Sequence, residues 1–106
     1  FETLSGYRLR HGEGVSIGLA AATRLAARLA LCEPVLVERV ETLLGRLGLP
    51  TSAQGFTPEQ VMTAMATDKK RVGRELRFVL PRAIGDVDVF DKVSHDDVLA
   101  VLHELT

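Results

Sequence analysis

The chain has 106 residues, of which 46% are hydrophobic and 25% are charged, and its formal net charge is −1. This length suits one domain with a modest core, and this composition is typical of a globular protein. The near-neutral charge argues against a nucleic-acid partner, and no apolar run is long enough to span a bilayer. Cys32 is the only cysteine, so an internal disulfide is impossible and a reducing, cytoplasmic compartment is expected.

The first predicted helix runs from about His11 to Leu31. Apolar residues recur along it at helical spacing and predict a buried stripe: Val15, Leu19, Ala22, Leu25, Ala26 and Leu29. Other apolar residues extend almost around the helix, which indicates a position inside a larger body. Glycines at 12, 14 and 18 each weaken the helix by about 1 kcal/mol, which indicates close approach of a backbone or ligand. For Gly18, plain helix packing explains the glycine equally well.

The second predicted helix runs from about Pro34 to Leu47. Pro34 suits the first helical position, and Gly48 and Pro50 follow its end. One apolar face is predicted to be buried: Leu36, Val40, Leu43, Leu44 and Leu47. The charged residues are predicted to form a solvated face: Glu38, Arg39, Glu41 and Arg46.

The third predicted helix begins after Thr57. Thr57 and Gln60 have the spacing of a capping box, and Phe56 and Val61 that of a hydrophobic staple. The helix ends with the charged segment Asp68-Lys69-Lys70.

The periodicity then changes to that of strands. Residues 76–80 predict a short strand that Pro81 ends, and residues 86–90 predict a second strand after a turn. Ser94 and Asp97 predict the capped start of a last helix, whose apolar residues face the core: Val98, Leu99, Val101, Leu102 and Leu105. The predicted fold class is therefore mainly α, with a small antiparallel β-hairpin, in a single domain that spans residues 1–106.

The histidines are the candidate metal ligands. Neutral imidazole is a common zinc ligand, but a metal site needs three or four ligands, so His11 alone does not define one. Glu13 is a candidate second ligand, but residues two positions apart on a helix point away from each other. His95 and His103 fit better as polar residues near the two ends of the last helix.

Lys69 and Lys70 are the candidate anion-binding residues. The simplest interpretation is that both lysines are solvated at the C-terminal end of a helix, where the helix dipole favours positive charge. The alternative is a pair of cations that holds an acidic substrate.

Two segments together resemble a known enzyme family. Residues 11–18 read His-Gly-Glu-Gly-Val-Ser-Ile-Gly, which matches the His-Gly-Glu-x-Val-x-Ile-Gly signature of the 3-dehydroquinate synthases in the sugar phosphate cyclase family. Asp68-Lys69-Lys70 matches an Asp-Lys-Lys segment of that family, and residues 76–81 and 83–85 match its hairpin. Gly14 stands where Ala is usual. The two motifs are specific because they occur together in this order.

One position departs from the family pattern. Arg74 stands where the family has Gly, although Gly73 lies beside it. This departure bears on the local loop and not on the assignment.

The resemblance implies roles for three residues. His11 would be one of three metal ligands, and Lys70, with Lys69 as the alternative, would contact the substrate. Phe1-Glu2 resemble the end of an upstream family motif, so the other two ligands and the NAD-binding domain would precede Phe1. The absence of an initiator Met suits such a C-terminal fragment.

The resemblance also implies the activity of the intact protein. It would convert 3-deoxy-D-arabino-heptulosonate 7-phosphate to 3-dehydroquinate and phosphate, the shikimate-pathway step towards chorismate and the aromatic amino acids. It would use NAD and a divalent metal, zinc or cobalt, and would form a homodimer. The fragment alone would be inactive and would bind neither cofactor.

Two other functions remain as alternatives. One is another sugar phosphate cyclase that makes 2-deoxy-scyllo-inosose or a valiolone; the Lys69-Lys70 pair argues against it, since those relatives are expected to have Asp-Asn-Lys. The other is a helical interaction module without catalysis.

Overall fold

The predicted alternation of helical and strand patterns corresponds to four helices and one hairpin in the described part of the chain. The computed structural model describes residues 11–52, 55–72, 78–90 and 93–105. The elements are α1 (His11–Arg28), α2 (Val35–Arg46), α3 (Pro58–Val72), β1 (Phe78–Ala83), β2 (Asp86–Phe90) and α4 (His95–Leu105). The predicted fold class, mainly helical with an antiparallel hairpin, is confirmed. No helix among the described residues is long and apolar enough to cross a membrane.

The core lies where α1, α4 and the hairpin meet. α1 packs against α2, β1 and α4, and α3 packs against α4. The buried cluster consists of Leu25, Ala26, Val61, Leu80, Val98, Val101, Leu102 and Leu105. Leu80 has no exposed surface, so β1 contributes a fully buried residue to this cluster.

Both α1 and α2 end in the same hydrogen-bonded motif. The Leu31 N–H donates to the Ala26 carbonyl at 2.9 Å and the Ala30 N–H to Ala27 at 3.1 Å, while Leu49 and Gly48 make the equivalent bonds after α2. This is the Schellman pattern, which requires positive φ at one residue. That residue is Gly48, with φ of 74°, after α2, but Ala30, with φ of 60°, after α1.

The predicted end of the first helix at Leu31 was therefore wrong. α1 ends at Arg28, because the chain turns at Ala30. Alanine carries no sequence signal for a left-handed conformation, whereas Gly48 does.

The predicted apolar faces are only partly correct. Val15 and Leu19 of α1 are 54% and 44% exposed, and Leu43 and Leu47 are 58% and 64% exposed. Ile17 and Ala20 of α1 are buried instead, whereas Leu36 and Leu44 of α2 are buried as predicted. Periodicity could not predict the buried face of α1, because apolar residues lie on most sides of this helix and the pattern does not show which side packs against other elements.

The predicted capping box at Thr57 and the predicted cap at Ser94 are both confirmed. The Thr57 N–H donates to Gln60 Oε1 at 2.9 Å, and the Gln60 N–H donates back to Thr57 Oγ1 at 3.1 Å. At α4 the Asp97 N–H donates to Ser94 Oγ at 3.1 Å, and that hydroxyl donates to Asp97 Oδ2 at 3.0 Å. These bonds satisfy N–H groups that the first turn of a helix cannot pair internally.

The hairpin extends further than its sequence pattern indicates. β1 continues through Pro81 to Ala83, with Pro81 opposite Val87 and a register shift between Pro81 and Ala83. The prediction that Pro81 ends the strand was therefore wrong. A strand in a two-stranded sheet has one hydrogen-bonded neighbour, so proline is tolerated there. The chain reverses at Ile84 and Gly85, where Gly85 has φ of 79°.

Candidate functional site

The family-like signature forms the N-terminal part of α1. His11 is the first residue of this helix, and Glu13 lies in its first turn, where the helix dipole favours a carboxylate. The side chain of His11 lies outside the described residues, as do the whole of Phe1, Glu2 and Arg74. The role of His11 as a metal ligand therefore stays a prediction.

Gly12 and Gly18 of this segment face open space among the described residues. No atom in the described part of the structure comes within 4 Å of a Cβ built on Gly12 or Gly18. Among the described residues no backbone approaches Gly12 or Gly18 closely, and the approach of a ligand stays a prediction. Gly18 lines an apolar cavity of about 190 Å³ between α1, α3, β1 and α4.

Ser16 anchors the signature segment to the rest of the fold. Its side chain is buried, and its hydroxyl donates to the Pro50 carbonyl at 2.6 Å. This bond joins α1 to the segment after α2 and satisfies a buried polar group. Sequence reasoning missed Ser16, because nothing local identifies a partner so distant along the chain.

Lys69 and Lys70 lie near the C-terminal end of α3, which continues to Val72. Their side chains are outside the described residues, so the structure does not bring them together with His11 or separate them from it. Their contact with substrate stays a prediction.

The described side chains do not assemble a metal site by themselves. Among them, no three His, Cys, Asp or Glu residues lie close enough to hold an ion. His95 begins α4 and His103 lies in its last turn, and both are exposed.

An ion-pair network joins the helices α1, α2 and α4. Arg24 donates to Glu41 Oε1 at 2.9 Å and to Glu104 Oε1 at 2.7 Å, so it links α1 to α2 and α4. The hydrogen bond to Glu41, opposed by partial burial and reinforced by Glu104, raises the pKa of Arg24 above its ordinary value. The prediction that Glu41 is only a solvated residue was wrong, because its partner is distant in sequence.

A second ion pair joins the end of α1 to the start of α4. Arg28 Nε donates to Asp97 Oδ1 at 2.8 Å. This hydrogen bond, together with that from Ser94, lowers the pKa of the Asp97 carboxyl below its ordinary value. Both networks orient helices rather than form a reactive centre.

Cys32 has the environment of a structural residue. It is partly buried, packs against the core cluster, and its pKa is raised by burial. This environment is that of a small apolar residue packed on the core.

A solved enzyme structure has the same fold. The 2-epi-5-epi-valiolone synthase ValA from Streptomyces hygroscopicus subsp. jinggangensis 5008, with NAD⁺ and Zn²⁺ bound, superposes with a TM-score of 0.87 and 30% sequence identity, over 98% of this chain and 29% of that one. The fold is therefore that of part of a sugar phosphate cyclase.

A family model described as 3-dehydroquinate synthase C-terminal matches residues 1–71. The chain belongs to this family. It is 42% identical over 105 residues to 3-dehydroquinate synthase from Desulforamulus reducens, a match that covers 97% of this chain. It is 40% identical over 106 residues to the enzyme of that name from Nostoc sp. PCC 7120. The chain spans 29% of the length of each of these relatives.

Proposed function

We propose that this chain is the C-terminal part of a 3-dehydroquinate synthase that converts 3-deoxy-D-arabino-heptulosonate 7-phosphate to 3-dehydroquinate and phosphate. The observation that carries the proposal is the His-Gly-Glu signature on the first turns of α1, inside the region that the family model matches. The similarity to 3-dehydroquinate synthases over nearly the whole chain supports it.

In this proposal, His11 supplies one metal ligand. His11 is the first residue of α1, and the remaining donors would come from another part of the polypeptide. Bound NAD and a divalent metal, zinc or cobalt, would supply transient oxidation and polarisation of a ring hydroxyl of the substrate. The NAD-binding domain belongs to the remainder of a cytoplasmic, homodimeric protein.

The proposed role of Lys70, or alternatively Lys69, is to bind an anionic group of the substrate. The substrate carries a phosphate and a carboxylate, and a lysine ammonium donates charge-assisted hydrogen bonds to either. The position of both lysines near the end of α3 is compatible with this role.

A second candidate is a valiolone-type cyclase. The observation that favours it is the match between this chain and ValA, at a TM-score of 0.87. The sequence Asp68-Lys69-Lys70 favours 3-dehydroquinate synthase, because the valiolone-type relatives are expected to have Asn at the central position.

A chimera tests the choice between these reactions. In this chimera, the chain replaces the matching region of the Desulforamulus reducens enzyme, with which it is 42% identical. We expect phosphate release from the heptulosonate phosphate and none from the substrate of ValA, and we expect the 106-residue chain alone to release none. Turnover of only the ValA substrate would favour the second candidate. A folded, NAD-bound chimera that is inactive on both would contradict the proposal.

A further inference from the structure

The two faces of the hairpin have different surroundings. Phe78, Leu80 and Phe90 lie on the face that packs on the core. The opposite face, here called the valine face, consists of Val79, Val87 and Val89. Val79 lies directly opposite Val89, and Val87 lies next to them, opposite Pro81. The three valines are 60%, 63% and 53% exposed.

The valine face has the character of a surface that another part of a protein covers. The aspartates of β2 alternate with its valines, and Asp88 lies opposite Leu80, so the aspartates share the core-facing side of the hairpin and the valines lie on the other side. In this chain the valines are exposed as well as Asp86 and Asp88. An exposed apolar ladder on a narrow sheet is a pairing and aggregation hazard, which proteins usually cover.

The size of the valine face indicates what kind of partner covers it. A stable complex between separate chains needs roughly 800 Å² of surface on each partner, and three half-exposed valines supply only a part of this. A segment tethered to the same polypeptide needs much less contact, because a tether gives an effective concentration in the millimolar range. More than two thirds of the length of the Desulforamulus reducens relative lies outside the region matched by this chain.

We propose that the valine face is an intramolecular docking surface for a segment of the N-terminal part of the full-length polypeptide. The inference rests on the proposed function only in taking this chain as the C-terminal part of a longer protein. It adds an interdomain contact on the hairpin, which is a different element from the helix that carries His11.

Hydrogen exchange of the hairpin amides tests the proposal directly. We expect the amides of β1 and β2 to exchange at least tenfold more slowly in the chimera than in the 106-residue chain. Equal exchange in the two proteins would overturn the proposal. If the chimera does not fold, the exchange is measured on the 106-residue chain with and without the separately expressed N-terminal part of the relative, and unchanged exchange overturns it.

A double variant, Val79→Thr with Val89→Thr, tests the valine side chains themselves. Threonine keeps the β-branched shape, so the 106-residue chain should change its Tm by less than about 1 °C, whereas the chimera should lose about 4 °C. Leu43→Gln, at a similarly exposed leucine of α2, is the control and should shift neither protein by more than about 1 °C. Equal shifts of the double variant in both proteins would contradict docking.

Two further measurements distinguish intramolecular docking from self-association and from a failure of the proposed function. If the 106-residue chain sediments as a dimer that the double variant dissociates, a second copy covers the valine face and the docking proposal fails. Turnover by the chimera reports the proposed function independently. An active chimera with unprotected hairpin amides would refute only the docking surface, and an inactive chimera with protected amides would refute only the function.

Discussion

The two halves of α1 have different surroundings and different compositions, with three glycines in the first half and none in the second. In the C-terminal half, Leu25 and Ala26 are buried against β1 and α4. In the N-terminal half, Val15 and Leu19 are about half exposed, and the space beside Gly12 and Gly18 is open among the described residues. Burial of Ile17 and the bond from Ser16 to Pro50 still hold this half in place.

This difference shows how one helix can serve two purposes. Its C-terminal half contributes Leu25 and Ala26 to the core cluster, while its N-terminal half carries the signature segment. A side chain at the end of a packed helix is held more precisely than one on a loop. The family signature is therefore carried by the part of α1 that contributes least to the core.

The largest stability effect is expected in the core. Leu80→Ala removes a fully buried side chain and should lower the free energy of unfolding of the 106-residue chain by about 2–5 kcal/mol. Val79→Ala, next to it on the exposed face, is the control and should cost below about 1 kcal/mol. Urea unfolding measures both. Similar costs at the two positions would show that the core does not lie on the Leu80 side.

The next effect concerns the second family motif. In the chimera, Lys70→Ala should lower kcat/KM at least tenfold, because a charge-assisted hydrogen bond is worth about 1.5–3 kcal/mol, and the metal content should not change. Lys69→Ala should cost well below about 1 kcal/mol, as for an exposed lysine at a helix end. Steady-state kinetics with metal analysis measures both. If Lys69→Ala lowers kcat/KM strongly and Lys70→Ala only slightly, Lys69 is the residue that contacts the substrate. If both variants have a mild effect, other residues bind the substrate anion.

A smaller effect is expected at the two helix ends. Ala30→Gly should stabilise the 106-residue chain by roughly 0.5–1 kcal/mol, because alanine is strained at positive φ and glycine is not. Gly48→Ala should destabilise it by about 1 kcal/mol for the same reason. Thermal unfolding measures the two shifts. Shifts of the same sign would contradict the left-handed geometry of one of these positions.

The smallest effect is a pH dependence at the junction of α1 and α4. The pKa of Asp97 is lowered in the folded chain by Arg28 and Ser94, so its contribution to stability is present above the unfolded pKa of about 3.9 and is lost as the pH falls through the lower folded pKa. The stability difference between the wild type and Asp97→Asn should be constant between pH 7 and about pH 5 and shrink below about pH 4. Arg28→Gln, which removes the partner, should weaken the same acid dependence. A difference that does not change down to about pH 2 would contradict the pairing.

Sequence patterns predicted the features that depend on residues close together in the sequence. They missed the contacts between residues far apart in the sequence. The caps at Thr57 and Ser94 follow from residues three positions apart, and the end of α2 follows from Gly48. The partners of Arg24 lie 17 and 80 positions away, and no local pattern indicates them. The exposure of Val15 and Leu19 depends on which neighbours pack against α1, so periodicity could not predict it.

The candidate site followed from motifs rather than from periodicity. His11 has no metal-binding partner at a recognisable spacing within the chain, so the isolated residue predicts nothing about a metal. The signature of residues 11–18 indicates the role, and the family match to residues 1–71 supports the motif. The bond from Ser16 to Pro50 required the structure, because it depends on how α1 packs beside the end of α2.

The central claim is that this chain supplies one metal ligand, His11, to a site completed by the rest of the protein. The most direct test is the zinc content of the purified chimera, its His11→Ala variant and the control His103→Ala, measured with circular dichroism to confirm folding. We expect about one zinc ion per chain in the chimera and the control, and a loss of zinc in His11→Ala with activity reduced by at least about 100-fold. A folded His11→Ala variant that keeps its zinc and its activity would contradict the account.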